Sequence, residues 1–367
     1  MTTAFKFGFM FLGVMGLLTA VPVSASVEAA QPEKASLQKT RFSDSYVGEM
    51  NFVTAKYEDT LVHIGRDYNV GFVEMRAANP HLDPWIPGAG AKVIVPTMHL
   101  LPDAPYEAVV INLSEMRLYY YRDRDQPPLT YPIGIGRDGL RTPLGVTKIY
   151  SKRENPTWTP TARMREEDPT LPAVVQPGPD NPMGTHALYL GFETIRIHGT
   201  NKPYGIGRRV SSGCIRMFPE DIKRFYDMVP VGTKVTVVDQ PIKAGWIDGK
   251  LYLEVHPTQE QATIMEKEGA IPDYQLSERD LGYIMRVAGK DVEKLDWAAI
   301  RKVVKERRGY PVAIANKAPR RADASATEPQ TLKATIKEAK AVVNAPLTKT
   351  EISGPKPIKT YSTIHRQ

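Results

Sequence analysis

The chain has 367 residues, 42% of them hydrophobic, and a formal charge of +7; this is enough apolar material for two or three domains with real cores. The single cysteine, Cys214, excludes an internal disulfide framework. The seven histidines show no ligand spacing and one cysteine is too few for zinc, so no metal and no other cofactor is expected.

Residues 7–21, FGFMFLGVMGLLTAV, form an apolar run of signal-peptide length behind Lys6, and Val23-Ser24-Ala25 offers small residues for cleavage after Ala25. The run is short for a membrane span. Residues 1–25 are therefore expected to be a signal peptide that exports the chain. Residues 26–48 are polar and irregular and read as a linker.

Residues 50–57, MNFVTAKY, alternate like a strand. Asp59-Thr60 supplies N-cap chemistry for a short helix with Leu61, Ile64 and Tyr68 along one face. FVEMRAA (72–78) reads as a second helix, stopped by Asn79-Pro80. KVIVP (92–96) is a closing strand ended by proline. This order, with Asp59-Thr60-Leu61, Ile64, Tyr68-Asn69-Val70, Asn79-Pro80 and Val95-Pro96, resembles a LysM module, a small α+β domain that binds N-acetylglucosamine-containing glycans. The resemblance spans 49–98 and implies glycan contacts at Thr60, Asn79 and Pro80.

The next unit, 105–240, is rich in short strands. YEAVVINLSEMRLYYYRD (106–123) reads as two strands around a turn at 112–115. LTYPIGIG (129–136), GVTKIYS (145–151), ALYLGF (187–192), TIRIHG (194–199) and KVTVV (234–238) add more. PEDIKRFYDMVP (219–230) is a helix with proline in its first turn and acids after it. Many strands with one good helix predict a mainly β domain. In 241–312, a short α/β extension, WIDGKLYLEV is a hairpin on Asp248-Gly249 and DVEKLDWAAIRKVVKERRG (291–309) an amphipathic helix stopped at Gly309. Residues 313–367 turn to Ala, Lys, Pro and Thr and read as a disordered basic tail. From 316 to 367 ten Lys or Arg face four Asp or Glu, which suits an acidic wall or membrane. Export and the lack of aromatic–basic interleaving speak against nucleic acid.

An unpaired thiol in an oxidising compartment points to chemistry. Arg216 stands two positions beyond Cys214, and Ser211-Ser212-Gly213 forms a turn whose N–H groups can face an anion. His198 ends an apolar strand before Gly199. The loop between them, GTNKPYGIGRRVSSG, has the Gly, Asn and Pro of a substrate-facing loop and the length to return beside the same strand. Together these features favour a Cys–His nucleophile over a buried, inert cysteine. His186 is a reserve candidate with a structural role as its plainer assignment.

IHGTNKPYGIGRRVSSGCIRM (197–217) resembles the active-site segment of bacterial L,D-transpeptidases, and Thr142-Pro143-Leu144-Gly145 and VINLSEMRLYYY also match that domain. The resemblance implies a β-sandwich catalytic domain with one or two helices. Cys214 would be the nucleophile and His198 its base and later acid. The Gly199 carbonyl would orient the histidine, and the N–H groups of Gly213 and Cys214 would form the oxyanion hole. Arg216, with Ser211 and Ser212 nearby, would bind the peptide stem. Relatives often carry histidine and asparagine where Ser212 and Arg216 stand, and the combination here fits a periplasmic Gram-negative subgroup with an N-terminal LysM. The partners implied are peptidoglycan tetrapeptide stems and glycan strands, with diaminopimelate or an outer-membrane lipoprotein lysine as acyl acceptor. Alternatives are a wall peptidase or carboxypeptidase with the same Cys–His site, and a non-catalytic wall-binding protein.

Overall fold

A computed structural model describes residues 45–316 except 124, 272 and 273. The described residues all fall within one compact unit. The expected signal peptide, linker residues 26–44 and the tail from 317 lie outside the described residues. Among the described residues no helix is long and apolar enough to cross a membrane.

The N-terminal part contains β1 (Tyr46–Val47), β2 (Asn51–Thr54), α1 (Leu61–Asp67), α2 (Phe72–Ala78), β3 (Lys92–Val95) and β4 (His99–Leu100). The predicted strand–helix–helix–strand order is present, with β2 antiparallel to β3. The linker expectation is corrected at its end: β1 pairs with β4, so residues 46 and 47 are sheet. Leu61, Ile64, Val70, Met75, Val93 and Val95 form a small core. Phe72, Val73 and Ala77 turn away from it and join the main core of the next unit. The N-terminal part is therefore joined to its neighbour by shared apolar burial, not held apart on a tether.

The central part runs β5 (Ala108–Asn112), β6 (Arg117–Tyr121), β7 (Leu129–Pro132), β8 (Ile135–Gly136), β9 (Gly145–Glu154), α3 (Ala162–Glu167), β10 (His186–Leu190), β11 (Arg196–His198), β12 (Arg209–Ser211), β13 (Ile215–Arg216), α4 (Pro219–Met228) and β14 (Lys234–Val238). It is largely β sheet, as predicted. The strands do not split into two separate sheets. Eight bond in the order β13-β11-β10-β9-β14-β5-β6-β7, and β8 with β12 forms a two-stranded ribbon. The turn between the two halves of the series is made inside β9, whose residues 145–148 pair with β14 and whose residues 149–154 pair with β10. One strand serving both halves is a way of wrapping a sheet around its own core. α4 begins on Pro219 with Glu220 and Asp221 in its first turn. It buries Phe225, whose ring meets Tyr120 and Tyr131 edge-on.

The C-terminal part holds β15 (Ile242–Ile247), β16 (Lys250–Val255), α5 (Gln259–Glu268), α6 (Glu278–Ala288), α7 (Trp297–Glu306) and β17 (Val312–Asn316). The hairpin on Asp248 and Gly249 is as expected. Two expectations are corrected here. The helix predicted over 291–309 is broken: a 3₁₀ turn occupies Gly289–Lys294, Leu295 is extended, and Asp296 restarts the helix by accepting from Ala299 N at 2.9 Å. The tail expected from 313 begins with sheet, because β17 pairs with β16 and buries Ile314. Helices α3, α5 and α6 were not predicted.

A buried charge network joins the three parts. Lys243 Nζ lies 2.6 Å from Glu115 Oε2 and 2.8 Å from Glu254 Oε1, and donates to the Leu100 carbonyl at 2.7 Å. His256 Nε2 is 2.6 Å from Glu254 Oε1. Close by, Arg117 pairs with Glu74 of α2 at 2.7 Å. Glu115, Glu254 and His256 are near enough together to suggest a cation site, but the Lys243 ammonium sits between the two carboxylates and supplies the positive charge itself.

Candidate active site

β11 and β13 run parallel, with Ile197 opposite Ile215 and His198 opposite Arg216. A parallel pair needs a crossover, and residues 199–214 provide it. The crossover makes a 3₁₀ turn at Pro203–Gly205 and then lays β12 along β8 before reaching Cys214. Cys214 is half-buried. Its Sγ donates to the Thr194 carbonyl at 3.5 Å. Thr194 has φ of +63°, a left-handed value that is costly for a β-branched residue. This conformation turns its carbonyl toward the sulfur, and Arg196 Nη1 donates to the same oxygen at 2.8 Å.

His198 is only 6% exposed. Its Nδ1 lies 2.6 Å from the Gly199 carbonyl oxygen. A carbonyl only accepts, so Nδ1 carries the proton and the neutral ring keeps its lone pair on Nε2. Burial, then the charge of Arg216, push the ring from the ordinary 6.5 down to about 3. The Gly199 carbonyl opposes that shift, Arg196 adds to it, and the Met183 carbonyl opposes it weakly. His198 ends β11 and Cys214 immediately precedes the adjacent strand β13, but the two do not hydrogen-bond to each other. Arg216 is the group that senses both: its charge lowers His198, and the sulfur of Cys214 acts back on Arg216.

The turn before Cys214 is built for close approach. Gly213 has φ of +102°, and a Cβ there would come within 2.9 Å of Ile195 Cδ1. Its carbonyl accepts from Thr142 Oγ1 at 2.9 Å, and Thr142 Oγ1 accepts from Gly136 N at 3.1 Å. The amides of Gly213 and Cys214 donate to nothing among the described residues. Backbone N–H groups are normally paired, so two free donors flanking a sulfur make an anion-binding nest.

Arg216 is half-buried and makes no ion pair or side-chain hydrogen bond among the described residues. Burial lowers its pKa, with Cys214 opposing. Its backbone is fixed by reciprocal bonds with Gly134 at 2.8 and 2.9 Å. A guanidinium in that state is prepared for a carboxylate.

Several predicted contacts are not brought to the site. Ser211 is buried and its hydroxyl donates to the Cys214 carbonyl, so it braces the turn and does not face substrate. Ser212 is half-buried next to it. His186 bonds Thr185 Oγ1 at 2.7 Å through Nδ1, and its ring lies 4.7 Å from that of Tyr226, a structural placement. In the N-terminal part, Asn79 is fully buried, with Nδ2 donating to Met75 and Ile94 carbonyls and Oδ1 accepting from Ile94 N at 2.8 Å. It pins α2 to β3 and cannot touch a glycan. The Thr60 hydroxyl caps α1, accepting from His63 N at 3.0 Å. Pro80 is exposed. The bracing role of Thr142 was missed, although the Thr142-Pro143 pair lay within a segment already matched to the family.

The family description YkuD, L,D-transpeptidase catalytic domain, matches residues 106–237. The chain is 41% identical over 309 residues to the protein named Probable L,D-transpeptidase YcfS of Escherichia coli (strain K12), covering 81% of this chain and 94% of that one. It is 40% identical over 277 residues to Probable L,D-transpeptidase YbiS of the same strain, covering 73% and 88%. Among solved structures, the Enterococcus faecium L,D-transpeptidase C442S mutant is similar over 36% of this chain and 49% of that one, at 21% identity and a TM-score of 0.28.

Proposed function

The chain belongs to the L,D-transpeptidase family, and from that premise we propose that Cys214 is its nucleophile and His198 the proton carrier. The enzyme is an acyltransferase acting on peptidoglycan stems. Neutral His198 takes the proton of the Cys214 thiol. The thiolate attacks the carbonyl at the L-centre of diaminopimelate in a tetrapeptide stem, and the N–H groups of Gly213 and Cys214 hold the oxyanion. The C–N bond to D-Ala breaks as the imidazolium returns its proton to the leaving amine. A thioester remains. An acceptor amine then attacks, losing a proton to His198, and the thiolate leaves as the new amide forms. Arg216 holds a stem carboxylate.

The observation that carries this assignment is the pair of unpaired amides beside a half-exposed sulfur. The missing Cys214–His198 hydrogen bond does not oppose it, since such bonds often tighten only with substrate. The acceptor amine is a second diaminopimelate, giving 3-3 cross-links, or the lysine of an outer-membrane lipoprotein. Export to the periplasm suits both. A LysM-type hold on glycan would fall to Pro80 and the exposed Tyr57 and Trp85, since Asn79 is enclosed.

Mass spectrometry with a tetrapeptide donor and a panel of amines tests the assignment. Wild type should gain the tripeptide acyl mass on Cys214, release D-Ala and form amide products. Cys214→Ala should show none of these. Tripeptide as the sole product with every amine would make the protein a carboxypeptidase. No adduct at Cys214 would remove the nucleophile.

A further inference from the structure

The crossover that delivers Cys214 is gripped from outside the catalytic sheet on two sides. On one side stands α2. Phe72 N donates to the Ile206 carbonyl at 3.4 Å and Val73 N to the Gly207 carbonyl at 3.1 Å. The two main chains touch there: a Cβ on Gly71 would lie 2.8 Å from Gly207 Cα, and one on Gly207, where φ is +73°, would lie 2.2 Å from Phe72 N. The neighbouring Arg208 guanidinium sits 3.5 Å above the Phe72 ring. On the other side stands α5. Arg208 Nη1 pairs with Glu266 at 2.5 Å, and Arg209 Nη1 donates to the Gln259 carbonyl at 2.8 Å and to Thr263 Oγ1 at 2.9 Å.

From this grip the chain has little freedom before the nucleophile. Arg209 and Ser211 are paired with β8, and the Ser211 hydroxyl holds the Cys214 carbonyl. A displacement at Gly207 or Arg208 therefore reaches the sulfur and the free amides of Gly213 and Cys214 with few soft joints between. A misplacement of about 1 Å at a reacting group can cost on the order of a hundredfold in rate.

We propose that α2 of the N-terminal part and α5 of the C-terminal part are positioning elements of the active site, which clamp residues 206–209 between them and so set the place of Cys214. Arg208 is the positioning residue at the centre, because its side chain touches both helices, stacking on Phe72 and pairing with Glu266. The N-terminal part thus contributes to the chemistry itself, whatever else it binds. This rests on Cys214 being the nucleophile.

The test uses the full chain with a tetrapeptide donor and diaminopimelate-bearing acceptor, comparing wild type with Arg208→Gln, Arg208→Lys and Gly71→Ala. Rates are taken per acylatable site, counted by acyl-enzyme mass. Arg208→Gln should lower kcat by about 10- to 100-fold while KM moves less than about threefold, because the acylating geometry and not binding is lost. Arg208→Lys, which keeps the charge beside Glu266 and Phe72, should restore most of the loss. Gly71→Ala should lower kcat in the same way; should it fail to fold, Arg208→Gln decides. A purely structural role would lower the melting temperature and leave kcat per site untouched, and that result overturns the proposal. Wild type acylated at Cys214 with unchanged variants sinks the clamp alone. Wild type that takes no acyl group at Cys214 sinks the site assignment and the clamp with it.

Discussion

Acidification should destabilise the folded protein through one imidazole. In the unfolded chain His198 takes up a proton near 6.5, whereas in the folded chain burial and Arg216 delay uptake until about 3. The folded value is the depressed one. Stability gained from the neutral ring is therefore complete above 6.5 and is lost as the pH falls toward 3. Each pH unit within that window is worth about 1.4 kcal/mol, so a descent to about pH 4.5 removes roughly 2–3 kcal/mol through this group. The control is His198→Gln, which keeps a polar side chain and does not titrate. Urea unfolding near pH 7 and near pH 4.5 should show the wild type losing roughly 2–3 kcal/mol more than the variant. For the same reason His198 rests neutral at neutral pH and contributes no acid limb near 6.5 to kcat/KM. Equal pH dependence in the two proteins, or an imidazole resonance titrating near 6.5 in the native state, would refute the reasoning.

Lys243→Met should be severely destabilising, because it strips the shared counter-charge from two buried carboxylates; breaking such a pair costs about 3–5 kcal/mol, or a fall in melting temperature on the order of 10 °C. Burial pushes Glu254 up and Lys243 with His256 outweighs it, so losing Lys243 raises the carboxyl, and the deficit in a thermal melt should shrink as the pH falls and grow as it rises. If Arg216 holds the stem carboxylate as proposed, Arg216→Gln should raise KM for the tetrapeptide donor about tenfold or more, with a smaller change in kcat from its charge beside His198 and Cys214; with a donor lacking that carboxylate, steady-state kinetics should show the KM difference disappear.

Local patterns carried much of the fold. The strands around 108–121 and the hairpin on Asp248 and Gly249 are visible as alternation plus turn chemistry, and Asp248 and Gly249 do both adopt positive φ. α5 and α6 could have been found: Thr258 with Gln261 and Ser277 with Asp280 are capping boxes, and Gly269 and Gly289 end the helices. α3 could not, since its six residues bury nothing and leave no periodic trace. At the candidate site, the placing of Cys214 and Arg216 beside the strand of His198 was legible, because the chain has one cysteine and the spacing fits a loop that leaves one strand and returns beside it. Ser211 and Asn79 misled because polar side chains next to a motif look alike whether they face solvent or fill the interior. The contacts of Arg208 with Phe72 and Glu266 were out of reach, because they join residues far apart in sequence that carry no local mark of one another.

The lone half-buried thiol has a consequence for how the protein fails. With a single cysteine in the chain, no disulfide braces this fold. If Cys214 is the nucleophile as proposed, peroxide or a mixed disulfide at its sulfur would silence turnover while the molecule stayed folded, and a thiol reductant would revive it as long as the sulfur had not passed beyond the sulfenic state. On that assignment, inactivation by oxidants and loss of structure are separate events, and a batch that melts normally can still be catalytically dead.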